Sequence, residues 1–171
     1  DLETTGRGKK ESPNAFGTTP KWEQIMQIAA IVTDENFQET NQNINEFCRP
    51  RTSIISQPGA LLTTQNGIRE ALHANQSSYE LMKKINATFD EWKKDSEEPI
   101  FIGHNIIDFD ESLLEYNSFN NLFFPYITRK RRGDTLSLAR ALYALNPSSM
   151  KTPLTARGNP SFKLEKLAEL N

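Results

Sequence analysis

The sequence predicts an α/β chain: a mixed central β-sheet flanked by helices. Three observations carry that reading. The apolar run Ile25-Met26-Gln27-Ile28-Ala29-Ala30-Ile31-Val32 is followed, after a polar turn, by a second short apolar stretch. A compact strand signal, Pro99-Ile100-Phe101-Ile102-Gly103, runs straight towards a helical pattern. Further stretches repeat apolar residues at helical spacing.

A length of 171 residues suits one domain with a real core. Ten Phe and two Trp argue for a packed interior, with 36% hydrophobic and 25% charged residues. The net charge of −2 excludes a surface built as a whole to attract polyanions, so nucleic-acid binding must come from a local patch or through metal. The single Cys48 excludes an internal disulfide framework and reads as a buried small hydrophobe. Apolar runs are too short to span a membrane, and no basic-then-apolar leader is present, so a cytoplasmic location is expected. The chain opens without Met and stops inside a helical pattern. The expectation is a single domain, residues 1–171, with both ends missing.

At the amino terminus, Asp1-Leu2-Glu3-Thr4-Thr5-Gly6 lacks any helical pattern and reads as a strand ended by a turn at Gly6. Residues i and i+2 of a strand share a face, so Asp1 and Glu3 would point one way and Leu2 into a core. Two carboxylates about 4 Å apart repel by roughly 4 kcal/mol at an effective dielectric near 20. Keeping both ionised therefore calls for a cation, and all-oxygen ligands suit a hard ion such as Mg²⁺ or Mn²⁺. Alone, the pair reads more readily as two solvated acids at a frayed end.

Arg7 to Lys21 is polar and reads as a loop. The run through Val32 suits a strand buried on both faces. Asp34-Glu35-Asn36 makes a turn, and residues 44–48 form the hairpin partner. Pro58-Gly59 marks a loop, and Thr63 or Thr64 caps a short helix with Ile68 and Leu72 on one face. Ser77 or Ser78 opens a longer helix whose Leu81, Ile85, Phe89 and Trp92 form a core stripe. Past Gly103, a helix carries Leu113, Leu114 and Tyr116 inward. The basic run Arg129-Lys130-Arg131-Arg132 reads as a solvated loop or as a track for a phosphate backbone. Asp134 caps a helix bearing Leu138, Leu142 and Leu145, ended by Pro147, and a last helix holds Leu164, Leu167 and Ala168.

Asp110 brings a third acid to the strand-to-helix junction, where open α/β sheets place ligands. With it the pattern resembles a known group. Asp1-Leu2-Glu3-Thr4-Thr5-Gly6, Gly103-His104-Asn105-x-x-x-Phe109-Asp110 and Asp134-Thr135-Leu136-x-Leu138-Ala139-Arg140 resemble the DEDD superfamily of 3′-to-5′ exonucleases, which have a ribonuclease H-like fold. Gln57-Pro58-Gly59-Ala60, Tyr143 to Pro147 and Pro160 to Leu167 are similar to the exonuclease domain of the bacterial exodeoxyribonuclease I family.

The resemblance implies hydrolysis of single-stranded DNA to 5′-mononucleotides with two divalent ions, Mg²⁺ or alternatively Mn²⁺. In it Asp1 touches both ions, Glu3 the first and Asp110 the second. The family pattern places the ligand straight after Phe109, which selects Asp110 over Asp108. Leu2, Thr4 and Thr5 are the implied substrate contacts, with Thr4 and Thr5 lending backbone N–H groups to the terminal nucleotide; Asn105 bonds either the backbone or the bound nucleotide. His104 reads as a packing residue rather than a base. The superfamily also uses a fourth acid, preceded by His with four residues between or by Tyr with three. Neither His73 nor His104 nor any Tyr meets that spacing, so the base and last ligand are expected beyond Asn171, and the 171 residues alone are expected to be inactive or nearly so. The implied partners are single-stranded DNA and, through further domains, a single-strand-binding protein; the chain is expected to be a monomer. An RNA-directed or proofreading relative, a catalytically dead binding module and a metal-free acid site remain as alternatives.

Overall fold

The computed structural model describes residues 2–5, 24–50, 67–95, 99–123 and 131–170. Asp1, the loop over 7–21, the Gln57 to Ala60 motif, the Thr63 or Thr64 cap and Arg129-Lys130 lie outside the described residues. The chain divides into two compact units, Asp1–Pro99 with Asp110–Ile127, and Ile100–Phe109 with Thr128–Asn171.

In the first unit, β1 (Leu2–Thr4), β2 (Ile25–Ala30) and β3 (Ile44–Phe47) form an antiparallel sheet in the order β1-β2-β3. The expected hairpin is present. Its turn is held by Asp34, whose Oδ1 accepts from the N–H groups of Asn36 at 2.8 Å and Gln38 at 2.9 Å. Glu3, Gln27 and Phe47 face one another across the three strands, and all three are half-buried. Leu2, Ile28 and Ile44 are buried. Period-two alternation therefore separates a covered face from a half-open one. The expectation that the second strand is buried on both faces holds only at Ile25 and Met26; Gln27, Ala29 and Ala30 are half-buried. Between Glu3↔Gln27 and Thr4↔Ile25 the register slips, so β2 contributes Met26 as an extra residue.

Helix α1 (Gly67–His73) lies against β2 and β3 and buries Ala71, whereas Leu72, expected inward, is 58% exposed. The longer α2 (Ser78–Asp95) starts on a capping box. The Ser77 N–H donates to Glu80 Oε2 at 2.6 Å, and the Glu80 N–H donates to Ser77 Oγ at 3.3 Å. Leu81, Ile85, Phe89 and Trp92 are buried as the helical spacing predicts, and Met82 is buried beside them. Lys84 on its wet side pairs with Glu46 of β3. Helix α3 (Asp110–Asn120) packs on α2 and β2 and buries Leu113 and Leu114. Asn121, just past its end, donates from Nδ2 to Ser78 Oγ at 3.1 Å. Cys48 is fully buried, its Sγ donates to the Ile25 carbonyl, and burial pushes its pKa up to about 12.

In the second unit, β4 (Phe101–Gly103) runs parallel to β5 (Arg132–Asp134). Strand β5 is a correction: Arg132, taken from sequence as the end of a basic loop, pairs with Phe101. Asp134 ends β5 and caps α4 (Thr135–Leu145), with a single 3₁₀ turn at Pro147–Ser149 and α5 (Leu164–Leu170) following. Of α4, Ala139 is buried while Leu138 and Leu145 are 68% and 86% exposed. Both antiparallel and parallel pairing occur, as a mixed α/β chain requires. No helix among the described residues is long and apolar enough to cross a membrane.

Candidate active site

Strand β1 is short, and its alternation decides where its residues point. Leu2 and Thr4 are buried on one side, and Glu3 sits half-buried on the other, as the strand reading predicts. The side chain of Leu2 is thus core, 5% exposed. Thr5 also departs from its expected role. Its N–H donates to the Gln24 carbonyl at 2.9 Å, and its Oγ1 accepts from the Gln24 N–H at 2.9 Å. Thr5 therefore locks the end of β1 beside β2, and its N–H is not on offer to a 3′ hydroxyl. Thr4 is buried.

Asp110 is the first residue of α3 and is buried, with Glu111 buried beside it. Acids in the first helical turn face the positive end of the macrodipole, which offsets part of the cost of burying a charge there. Asp108 is exposed in the preceding turn. Of the two acids weighed from sequence, Asp110 is the one held in place by packing. Glu3 and Asp110 belong to the same compact unit. Among the described residues no three His, Cys, Asp or Glu side chains cluster as a metal site. Glu3 and Asp110 supply hard oxygen donors, the chemistry that suits Mg²⁺ or Mn²⁺.

In the second unit, Asn105 adopts a left-handed φ of 71°, which Asn tolerates better than most residues. Its N–H donates to Asp134 Oδ1 at 3.0 Å, and its carbonyl accepts from the Phe109 N–H at 3.0 Å. Asp134 Oδ2 accepts from the Ile107 N–H at 3.4 Å, and Oδ1 also accepts from Leu136 and Ser137. Partial burial pushes the Asp134 pKa up, but these four backbone N–H groups outweigh it and hold the carboxyl below its ordinary value. The sequence marks Asp134 as a helix cap and as the start of the Asp134-Thr135-Leu136 motif; neither hints at its bonds to Asn105 and Ile107. His104 is committed on both ring nitrogens, Nε2 at 2.7 Å from the Phe162 carbonyl and Nδ1 at 3.1 Å from Thr135 Oγ1. It ties segments together, in keeping with a packing role.

An α/β fold with an acid on a short amino-terminal strand and another opening a helix after β4 defines a class: the exonucleases of ribonuclease H-like fold. The pattern of the exonuclease (RNase T) family matches residues 1–168, and the chain belongs to that family. Exodeoxyribonuclease I of Escherichia coli K12 is 31% identical over 160 residues, which cover 91% of this chain and 33% of that protein. A crystal structure of E. coli exonuclease I with a 5cy-dA13 oligonucleotide superposes with a TM-score of 0.78 at 28% identity, over 100% of this chain and 35% of the other. An ExoI/SSB-Ct complex superposes with a TM-score of 0.77 at 28% identity, over 99% of this chain and 34% of the other. The chain spans about a third of the length of the relatives it matches.

Proposed function

We propose that this chain is the nuclease domain of a 3′-to-5′ exonuclease that degrades single-stranded DNA to 5′-mononucleotides. The observations that carry it are a half-buried Glu3 on the half-open sheet face and a buried Asp110 at the start of α3, both in one unit, within a stretch the exonuclease family pattern spans. Glu3 and Asp110, with Asp1, would hold two divalent ions, which would supply activation of the attacking water and stabilisation of the leaving 3′ oxygen. The protein's part is to fix the donors. Burial and helix start hold the Asp110 carboxylate, while the strand and the Thr5–Gln24 pair hold the Glu3 backbone. The main chain of Leu2 and Thr4 is read as meeting the terminal nucleotide.

Both units are read as parts of one nuclease domain, since one family pattern runs through them. Single-stranded DNA is the proposed substrate because a relative holds a dA13 oligonucleotide, and a single-strand-binding protein is a proposed partner because another is an ExoI/SSB-Ct complex. A monomer acting in the cytoplasm completes the reading; the buried free thiol of Cys48 suits a reducing compartment. The test is digestion of matched single-stranded DNA, duplex DNA and RNA by the natural polypeptide that contains this chain, with Mg²⁺ and with chelator. Metal-dependent mononucleotide release from single-stranded DNA is expected, and preference for RNA would overturn the substrate.

A further inference from the structure

Charge is unevenly shared between the two units. Residues 100–109 with 128–171 hold nine Lys and Arg against four Asp and Glu, while the other unit holds eleven against eighteen. The net charge of −2 therefore conceals a positive second unit. After Asp134 the imbalance is sharpest: between it and Glu165 stand Arg140, Lys151, Arg157 and Lys163, and no acid. All four are exposed.

Three of the four belong to one hairpin. Leu154 bridges antiparallel to Pro160, the Thr155 N–H donates to the Asn159 carbonyl at 2.7 Å, and the Ser161 N–H donates to the Pro153 carbonyl at 2.7 Å. Gly158 turns the tip beside Arg157 with a left-handed φ of 77°. Phe162 anchors the base. Its carbonyl lies 2.7 Å from His104 Nε2, and its ring meets Tyr143 of α4 edge-on at 5.6 Å. The hairpin is thus a preset arm. Lys151 and Lys163 stand six residues to either side of Arg157, up to about 20 Å of extended chain. Arg157 and Lys163 have no ion-pair partner among the described residues. Cations strung along an arm, with no acid between them, suit a ligand whose negative charges repeat at intervals.

We propose that the hairpin over residues 151–163 is a contact surface for the phosphate backbone of a single strand, holding it without reading its bases. The identity of the strand rests on the proposed function. The test is anisotropy of a labelled oligothymidylate against the natural polypeptide that contains this chain, with Ca²⁺ replacing Mg²⁺, over a range of salt. One double variant, Arg157→Gln with Lys163→Gln, alters the hairpin. A second, Arg69→Gln with Lys83→Gln, removes the same charge from exposed positions of the first unit. Each phosphate contact to a single strand contributes about 0.7 to the slope of log affinity against log salt, so the hairpin variant should lose about 1.4 of slope and bind about tenfold more weakly at low salt. The second variant should bind within about twofold of the parent with its slope unchanged. Equal weakening in both overturns the proposal in favour of general charge. Unchanged binding in the hairpin variant also overturns it, and loss there of an oligoglutamate peptide that the parent binds would assign the arm to an acidic protein instead. Failure of the parent to bind the oligonucleotide defeats the functional reading and the proposal with it. Should the hairpin variant not fold, Arg157→Gln alone decides: a slope about 0.7 shallower supports the contact, and an unchanged slope refutes it.

Discussion

The Asn105 N–H donates to Asp134 Oδ1 at 3.0 Å across 29 positions of sequence, joining the turn after β4 to the start of α4. One carboxylate thus ends a strand, caps a helix and fixes a left-handed residue. Removing it should be costly. Asp134→Ala loses a helix cap worth about 0.5–2 kcal/mol together with two hydrogen bonds to a charged group. A loss of about 2 kcal/mol or more in urea unfolding is expected, and a change under about 0.5 kcal/mol would show the carboxylate to be incidental.

The same residue gives the unit an acid limit. Its folded pKa lies below the ordinary value of 3.8, so its contribution is complete above that value and is lost as pH falls through the folded pKa. The parent should lose stability below about pH 4 more steeply than Asp134→Asn, which has no proton to take up. Parallel acid-unfolding curves for the two proteins would contradict this.

Backbone conformation predicts a contrast at one position. Asn105→Val places a β-branched residue at φ 71° and should destabilise by roughly 1–3 kcal/mol, whereas Asn105→Gly should fold about as well as the parent. Chemical denaturation of the two variants checks it, since only strain separates them in this direction.

At the amino terminus of α2, Ser77→Ala removes half of a reciprocal capping box. The expected cost is about 1 kcal/mol, read as a lower melting temperature. The Cys48 thiol, buried with its pKa pushed up to about 12, should resist alkylation in the native protein at neutral pH and react once urea unfolds it. Rapid native labelling would place Cys48 outside the core.

Elements with a local signal were legible in the sequence. Leu81, Ile85, Phe89 and Trp92 repeat at helical spacing and are buried, and Asp34 marks the turn of the hairpin that follows β2. Strand β5 was not legible, because Arg132-Gly133-Asp134 has neither alternation nor β-branched residues and is a strand only by pairing with β4. Leu72 and Leu138 fit helical stripes but are exposed, since spacing says which residues share a face and not what covers it. At the candidate site, the choice of Asp110 over Asp108 followed the position of Phe109; Asp110 is buried and Asp108 exposed. The retention of the Thr5 N–H by Gln24 depends on a bond across 19 positions, which no local pattern encodes.

Titration with Mn²⁺, followed by electron paramagnetic resonance, tests the metal-binding role of Glu3 and Asp110 most directly. The parent should bind saturably, and Glu3→Gln and Asp110→Asn should each weaken binding at least tenfold with thermal melting little changed. Equal Mn²⁺ affinity in the parent and both variants would contradict it.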